Sequence, residues 1–197
     1  GLGAVPKMYI VKNRSTGSTS WRTYHSSLGA TKFLALELTN AEASASSVFN
    51  NTEPTSSVFS VGTDTGANGN GNSLICYLFS EIKGYSKFGS YTGNGNADGP
   101  FVYTGFLPAF VMWKRTDAAN DWMMGDNKIT TFNPKDGMMR ANLTNAELST
   151  NPVDFLSNGF KIRLSGNAFN NSSGTYIYMA FAESPFVNSK GVPNNAK

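Results

Sequence analysis

Charge is scarce in this chain. Lys, Arg, Asp and Glu together make up 15% of its 197 residues, against about a quarter in an ordinary soluble domain. The formal net charge of +3 comes from few acids rather than many bases, and no Lys/Arg run is longer than Lys114-Arg115. Without a basic stripe to track phosphates, nucleic acid is not an expected partner. A single cysteine, Cys76, excludes an internal disulfide. Within SLICYLFSEI it reads as a small buried hydrophobe. No apolar run approaches the roughly 18 residues of a membrane helix, so no membrane is expected either. The Gly-rich stretches lack the Lys-Ser/Thr of a phosphate loop, and no cofactor is implied.

Histidine is equally rare. His25 is the only one, so a Ser-His-Asp site would have to use it, and Ser26 beside it is too close in the chain to serve as nucleophile. No G-x-S-x-G elbow and no H-E-x-x-H occurs. Paired carboxylates could hydrolyse glycosides, but Glu42/Glu147 and Glu81/Glu183 recur at matching places in two similar halves. Residues needed in every copy read as structural, and the chain is not expected to be an enzyme.

What is abundant is Ser, Thr, Asn and Gly, with aromatics at 13%. That mixture suits short strands joined by Asn/Gly turns, and the fold class is read as all-β. The pentapeptide LTNAE occurs at Leu38–Glu42 and again at Leu143–Glu147. GAVPKMYIVKNR at Gly3–Arg14 matches GFLPAFVMWKRT at Gly105–Thr116, Trp21 matches Trp122, Phe59 matches Phe160, and SLICYLFSE at Ser73–Glu81 matches TYIYMAFAE at Thr175–Glu183. Landmarks in one order indicate duplication. The expectation is two tandem pseudo-repeats of about one hundred residues. Each is β-sandwich-like (a jelly roll or similar), and the two are packed together: repeat one over 1–88, a Gly/Asn-rich linker over 89–100, and repeat two over 101–197.

Met8–Val11 and Phe110–Trp113 are apolar on both alternating faces, as central strands covered on both sides would be. Phe101–Thr104 reads as a strand leading into repeat two. Repeat one has no counterpart, and a parent polypeptide extending upstream is expected to supply one.

Thr-x-x-Glu within LTNAE is the capping-box pattern. It predicts that Thr39 with Glu42, and Thr144 with Glu147, end a strand and start a short helical turn. For ligand binding, Trp21, Tyr24, His25 and Trp122 lie among polar residues near strand ends, where rings could stack on sugar faces. The competing reading makes the two tryptophans equivalent core anchors. Asn94, Asn96 and Asp98 match the front half of a calcium loop, but its twelfth position is Gly105 instead of the required Glu. A turn-rich linker is therefore preferred to a metal site there.

The runs GLGAVPKMYIVKNR, YHSSLGATKFLALELTNAE, GYSKFGSYTGNGNADGPFVYTGFLPAFVMWKRTD and VDFLSNGFKI…GTYIYMAFAESPF together resemble a β-rich domain widespread in marine bacteriophage genomes. It lies near the C-terminus of tail-fibre and other virion structural proteins. The resemblance implies a virion surface protein with other virion proteins as partners. It also implies a homo-oligomer, a trimer by analogy with fibres, and contact with host surface glycans or neighbouring subunits. A capsid decoration or head-fibre protein, or a freestanding carbohydrate-binding module, is the alternative. The resemblance brings no catalytic residues.

Overall fold

The computed structural model describes residues 2–150 and 152–185. Among them are thirteen β-strands and three single-turn helices, and every sheet pairing is antiparallel. The fold is thus mostly β, as the composition requires. No helix among the described residues is long and apolar enough to cross a membrane.

The first sheet has the order β4 (Ala43–Ser44), β3 (Lys32–Ala35), β2 (Arg22–His25), β1 (Pro6–Asn13), β5 (Leu74–Ser80). The second runs β10 (Met139–Arg140), β9 (Trp122–Asp126), β8 (Phe110–Arg115), β13 (Thr175–Phe181), β6 (Ser86–Thr92). A third, smaller sheet is β11 (Val153–Leu156), β12 (Gly159–Ile162), β7 (Phe101–Tyr103).

Strand alternation explains the layering. On β1, Met8 and Ile10 enter one core while Tyr9 and Val11 enter another, because successive side chains point to opposite faces. On β8, Met112 joins Met8 and Ile10, while Val111 and Trp113 turn to the third sheet. The two five-stranded sheets therefore stack face to face through a shared core of Met8, Ile10, Leu34, Phe88, Met112 and Trp122. Rings from the two ends of this core, Phe79 on β5 and Phe181 on β13, meet edge to face at 6.2 Å. The outer face of the second sheet is covered by the third sheet. The outer face of the first is covered by irregular chain around α1 (Ser46–Phe49), α2 (Thr65–Asn68), Phe59 and Val61. The side chain of Asp64 caps α2 by accepting from the N–H groups of Gly66 and Ala67. The third helix, α3 (Asn167–Asn170), packs on β8.

Two expectations change. Residues 89–92, assigned above to a linker, are the second half of β6, hydrogen-bonded along β13. Their Gly-Ser-Tyr-Thr composition resembles a turn, but Phe88 in the shared core and Tyr91 stacked on Tyr176 at 4.8 Å hold them extended. LTNAE, moreover, starts no helical turn in either place. The chain turns after Ala35 so that the Glu37 carboxylate accepts from the Trp21 N–H, which leaves Leu38 exposed outside the strand. Glu42 then pairs with Lys32, and the Thr39 carbonyl accepts from the Asn120 N–H. In the second occurrence Leu143, Thr144 and Glu147 are exposed, and Leu148 forms a bridge to Met138.

Candidate functional site

Three of the four residues expected to bind ligand are buried. Trp122, 1% exposed, donates from Nε1 to the Ala35 carbonyl at 3.0 Å and so ties β9 to β3 of the other sheet. Tyr24 stacks on Tyr9 with centroids 4.5 Å apart, and its hydroxyl donates to Glu53 at 2.5 Å. Burial and that carboxylate push its phenol well above the ordinary range. His25 ends β2 inside the shared core. Its Nε2–H donates to the Tyr178 carbonyl, and its Nδ1 accepts from the Ser27 N–H, both at 3.1 Å. Burial lowers its pKa to about 4, so the imidazole is neutral. The residues beside these rings in sequence are polar, but the opposite sheet covers His25 and Trp122, and the chain around α1 covers Tyr24.

Trp21 alone stays near the surface. Its ring lies parallel to that of Tyr77 on β5, with centroids 6.5 Å apart and planes within 14°, and Lys12 Nζ is 5.8 Å from the indole centroid. Tyr77 is 44% exposed. It corresponds to Met179 in the second half, and a polar-tipped ring in place of a buried methionine was the available sequence signal for it.

The oxygens of the Asn94–Asp98 loop already have partners within the protein. Asn94 Oδ1 accepts from the Asn96 N–H and from Asn170 Nδ2, Asn96 Oδ1 accepts from the Asp98 N–H, and Asp98 pairs with Lys161 at 2.7 Å. Those donors compete with a cation for every candidate ligand. Among the described residues no group of three or more His, Cys, Asp or Glu side chains converges.

A pocket of about 360 Å³ lies between the two large sheets. Its walls include Lys32 and Glu42 from the first half, and Ser90, Thr92, Thr116 and Thr175 from the second. Four hydroxyls thus face one ion pair. The site is framed by bonds across and within the halves. The Glu42 N–H donates to the Thr116 carbonyl at 2.8 Å across the halves, and within the second half the Thr116 and Thr175 hydroxyls are 2.8 Å apart. Behind Thr175, Asp117 accepts from its N–H and from a fork of the Arg115 guanidinium. That guanidinium holds the Asp117 carboxyl down at about 2. Such walls offer donors and acceptors to a neutral, polyhydroxylated ligand.

Lys114, beside this frame, is fully buried, and its Nζ donates to the carbonyls of Thr39 and Arg115. Burial lowers its pKa to about 8 from the usual 10.5. Between those values the unfolded chain holds a proton that the folded chain has released, so this lysine adds stability as pH rises. The stability of the native protein relative to Lys114→Met is expected to rise by about 1–2 kcal/mol from pH 8 to pH 9.5. Parallel urea titrations of the two proteins check this; a pH-independent difference would contradict it.

Fold and site together define a mostly-β protein of stacked antiparallel sheets with a hydroxyl-lined pocket between the two larger ones. The family model described as "Domain of unknown function (DUF7483)" matches residues 1–185, and the chain belongs to that family. No curated protein and no solved structure matches the chain.

Proposed function

We propose that the chain is a structural module of a bacteriophage virion surface protein, a tail fibre or similar appendage, that offers its inter-sheet pocket to host glycans. The observation that carries the binding part is the wall of Ser90, Thr92, Thr116 and Thr175 facing the Lys32–Glu42 pair. Hydroxyls and a compensated ion pair suit sugar hydroxyls, which need many weak, directional partners and no net charge. The virion setting, at the particle surface among other virion proteins and as a homo-oligomer, rests on the sequence resemblance, and the module acts by binding rather than by catalysis.

The module is built from two tandem repeats, each sandwich-like and packed on the other. Strand order β3-β2-β1-β5 in one sheet and β10-β9-β8-β13 in the other supports this. Atomic detail agrees. Glu37 accepts from the Trp21 N–H as Asn142 does from the Trp122 N–H, and the Leu36 N–H reaches the Trp21 carbonyl as the Ala141 N–H reaches that of Trp122.

Ser90 is exposed on an edge strand, so Ser90→Trp should fill the pocket without unfolding the chain. Glycan-array signals of the native protein are expected to fall at least about tenfold, a loss of about 1.4 kcal/mol, with melting unchanged. Equal binding by both proteins would remove the pocket from consideration. Antibodies to the chain should decorate intact virions in electron micrographs, and their absence from particles would remove the virion setting.

A second reading, a carbohydrate-binding face of the freestanding-module kind, is favoured by the parallel Trp21 and Tyr77 rings. Tyr77→Ala separates it from the first, because this residue is remote from the pocket lining.

A further inference from the structure

The strands β5 and β13 hold the same place in their sheets, yet only β13 has a neighbour on each side. It lies between β8 and β6, whereas among the described residues β5 is bonded to β1 alone and leaves one edge open. Residues 176–180 of β13 are all buried, and no residue of β5 is. The difference is not confined to the edge. Residues 58–61 correspond to β12, which β7 clamps in register with Phe160 opposite Val102. Residues 58–61 form no strand, and Val58 is 64% exposed. A third difference lies at the small helices. Asn170, the last residue of α3, is buried against Asn94, exchanging bonds with its N–H and side chain at 2.7 and 2.9 Å. Asn68, the last residue of α2, is exposed.

One continuous piece of chain supplies all three covers in the second half: Ser86–Thr104, which runs β6, the Asn-Gly-Asn loop and β7. The apolar residues left bare on β5 fit the same account. Tyr91 and Phe88 of β6 lie opposite Tyr176 and Met179, and the β5 counterparts of those two are Leu74, 37% exposed, and Tyr77.

We infer that the open edge of β5, with Val58 and Asn68 beside it, is a docking groove for a strand–loop–strand segment of the Ser86–Thr104 pattern, which adds antiparallel to β5. The segment presents one aromatic to Tyr77 and, three residues on, another to Leu74. An asparagine loop then reaches Asn68, and a short apolar strand draws residues 58–61 into a ladder. Backbone bonds along the edge give affinity, and the two rings set the register. The inference rests on the repeat correspondence and not on glycan binding. A segment in the groove covers Tyr77, so it and the Trp21–Tyr77 sugar face exclude each other.

The test uses the intact chain and a synthetic peptide of residues 86–104. Hydrogen exchange at 74–80 is expected to slow at least tenfold at saturating peptide. Register predicts that Cys76, the counterpart of Tyr178, comes to lie opposite position 89. Opposed antiparallel residues have the Cα spacing a disulfide needs. In a glutathione buffer at equilibrium, peptide carrying Gly89→Cys should therefore capture Cys76 at least tenfold better than peptide carrying Ser90→Cys, whose side chain points to the other face. Capture by the two peptides to equal extent, or unchanged exchange at 74–80 in millimolar peptide, would overturn the inference. So would peptide-free dimers that protect 74–80, because the occupant would then be a second copy joined edge to edge.

Discussion

Trp122→Ala lowers the unfolding free energy by about 3–5 kcal/mol, the range for truncating a large aromatic in a packed core, whereas Trp21→Ala costs about 1–2 kcal/mol for a ring only partly buried at the core's margin. That is the expected result of paired denaturant titrations, and it is asymmetric although the two tryptophans occupy matching places. Trp122 is packed among Met8, Ile10 and Leu34 of the opposite sheet, and its indole N–H satisfies the Ala35 carbonyl. Removing the ring opens a cavity and also takes the shorter of two bonds from the Ala35 carbonyl, leaving it only the 3.3 Å bond from the Leu38 N–H. Trp21 lies parallel to an exposed tyrosine at the margin of the shared core, and its hydrogen bonds to Glu37 and Leu36 run through its backbone, which alanine keeps. Equal losses in both variants would mean that the shared core is not organised around Trp122.

The second large effect is acid sensitivity through His25. Its folded pKa of about 4 lies below the ordinary 6.5, so between those values the unfolded chain binds a proton that the folded chain refuses. Stability from this group is present above pH 6.5 and is lost as pH falls towards 4, by about 3 kcal/mol between pH 7 and pH 4. The geometry gives the reason. Nε2 must carry hydrogen because Tyr178 offers only a carbonyl, and Nδ1 must stay bare because Ser27 offers only an N–H. Protonating Nδ1 sets two donors against each other in the core. His25→Gln can donate to the one and accept from the other without titrating. The wild-type curve is therefore expected to fall away from the His25→Gln curve below pH 6.5, when stability is followed by chemical denaturation at fixed pH steps. Parallel curves down to pH 4 would show that the ring escapes to solvent when charged.

The strands were legible because their signal is local. Met8–Val11 and Phe110–Trp113 announced themselves as central by being apolar on both faces, and both are flanked by strands on either side. Phe101–Tyr103 was legible from its aromatic and β-branched run, although β7 lies at a sheet edge with Phe101 and Tyr103 exposed. What failed was every inference that needed to know which residues lie across a gap. The Gly-Ser-Tyr-Thr stretch is strand because β13 pairs with it and the distant Tyr176 ring pins Tyr91. Tyr24, His25 and Trp122 have polar neighbours along the chain and apolar ones across the sheets, and no window of sequence contains both. The pocket is the extreme case, since Lys32, Ser90, Thr116 and Thr175 come from four separated segments. LTNAE misled because a capping-box spacing matters only where a helix follows. Here Lys32 claims the glutamate first.

The core shared by the two large sheets sets the smallest piece of this chain that can travel alone. Met8, Ile10 and Leu34 share their core with Phe88, Met112, Trp122, Ile177 and Met179 of the second sheet. A cut between β5 and β6 would leave each side with an apolar sheet face in water. Recombination between genes would therefore yield a folding product only where both halves cross together, and breakpoints in surviving chimaeras are expected outside the pair rather than at its middle.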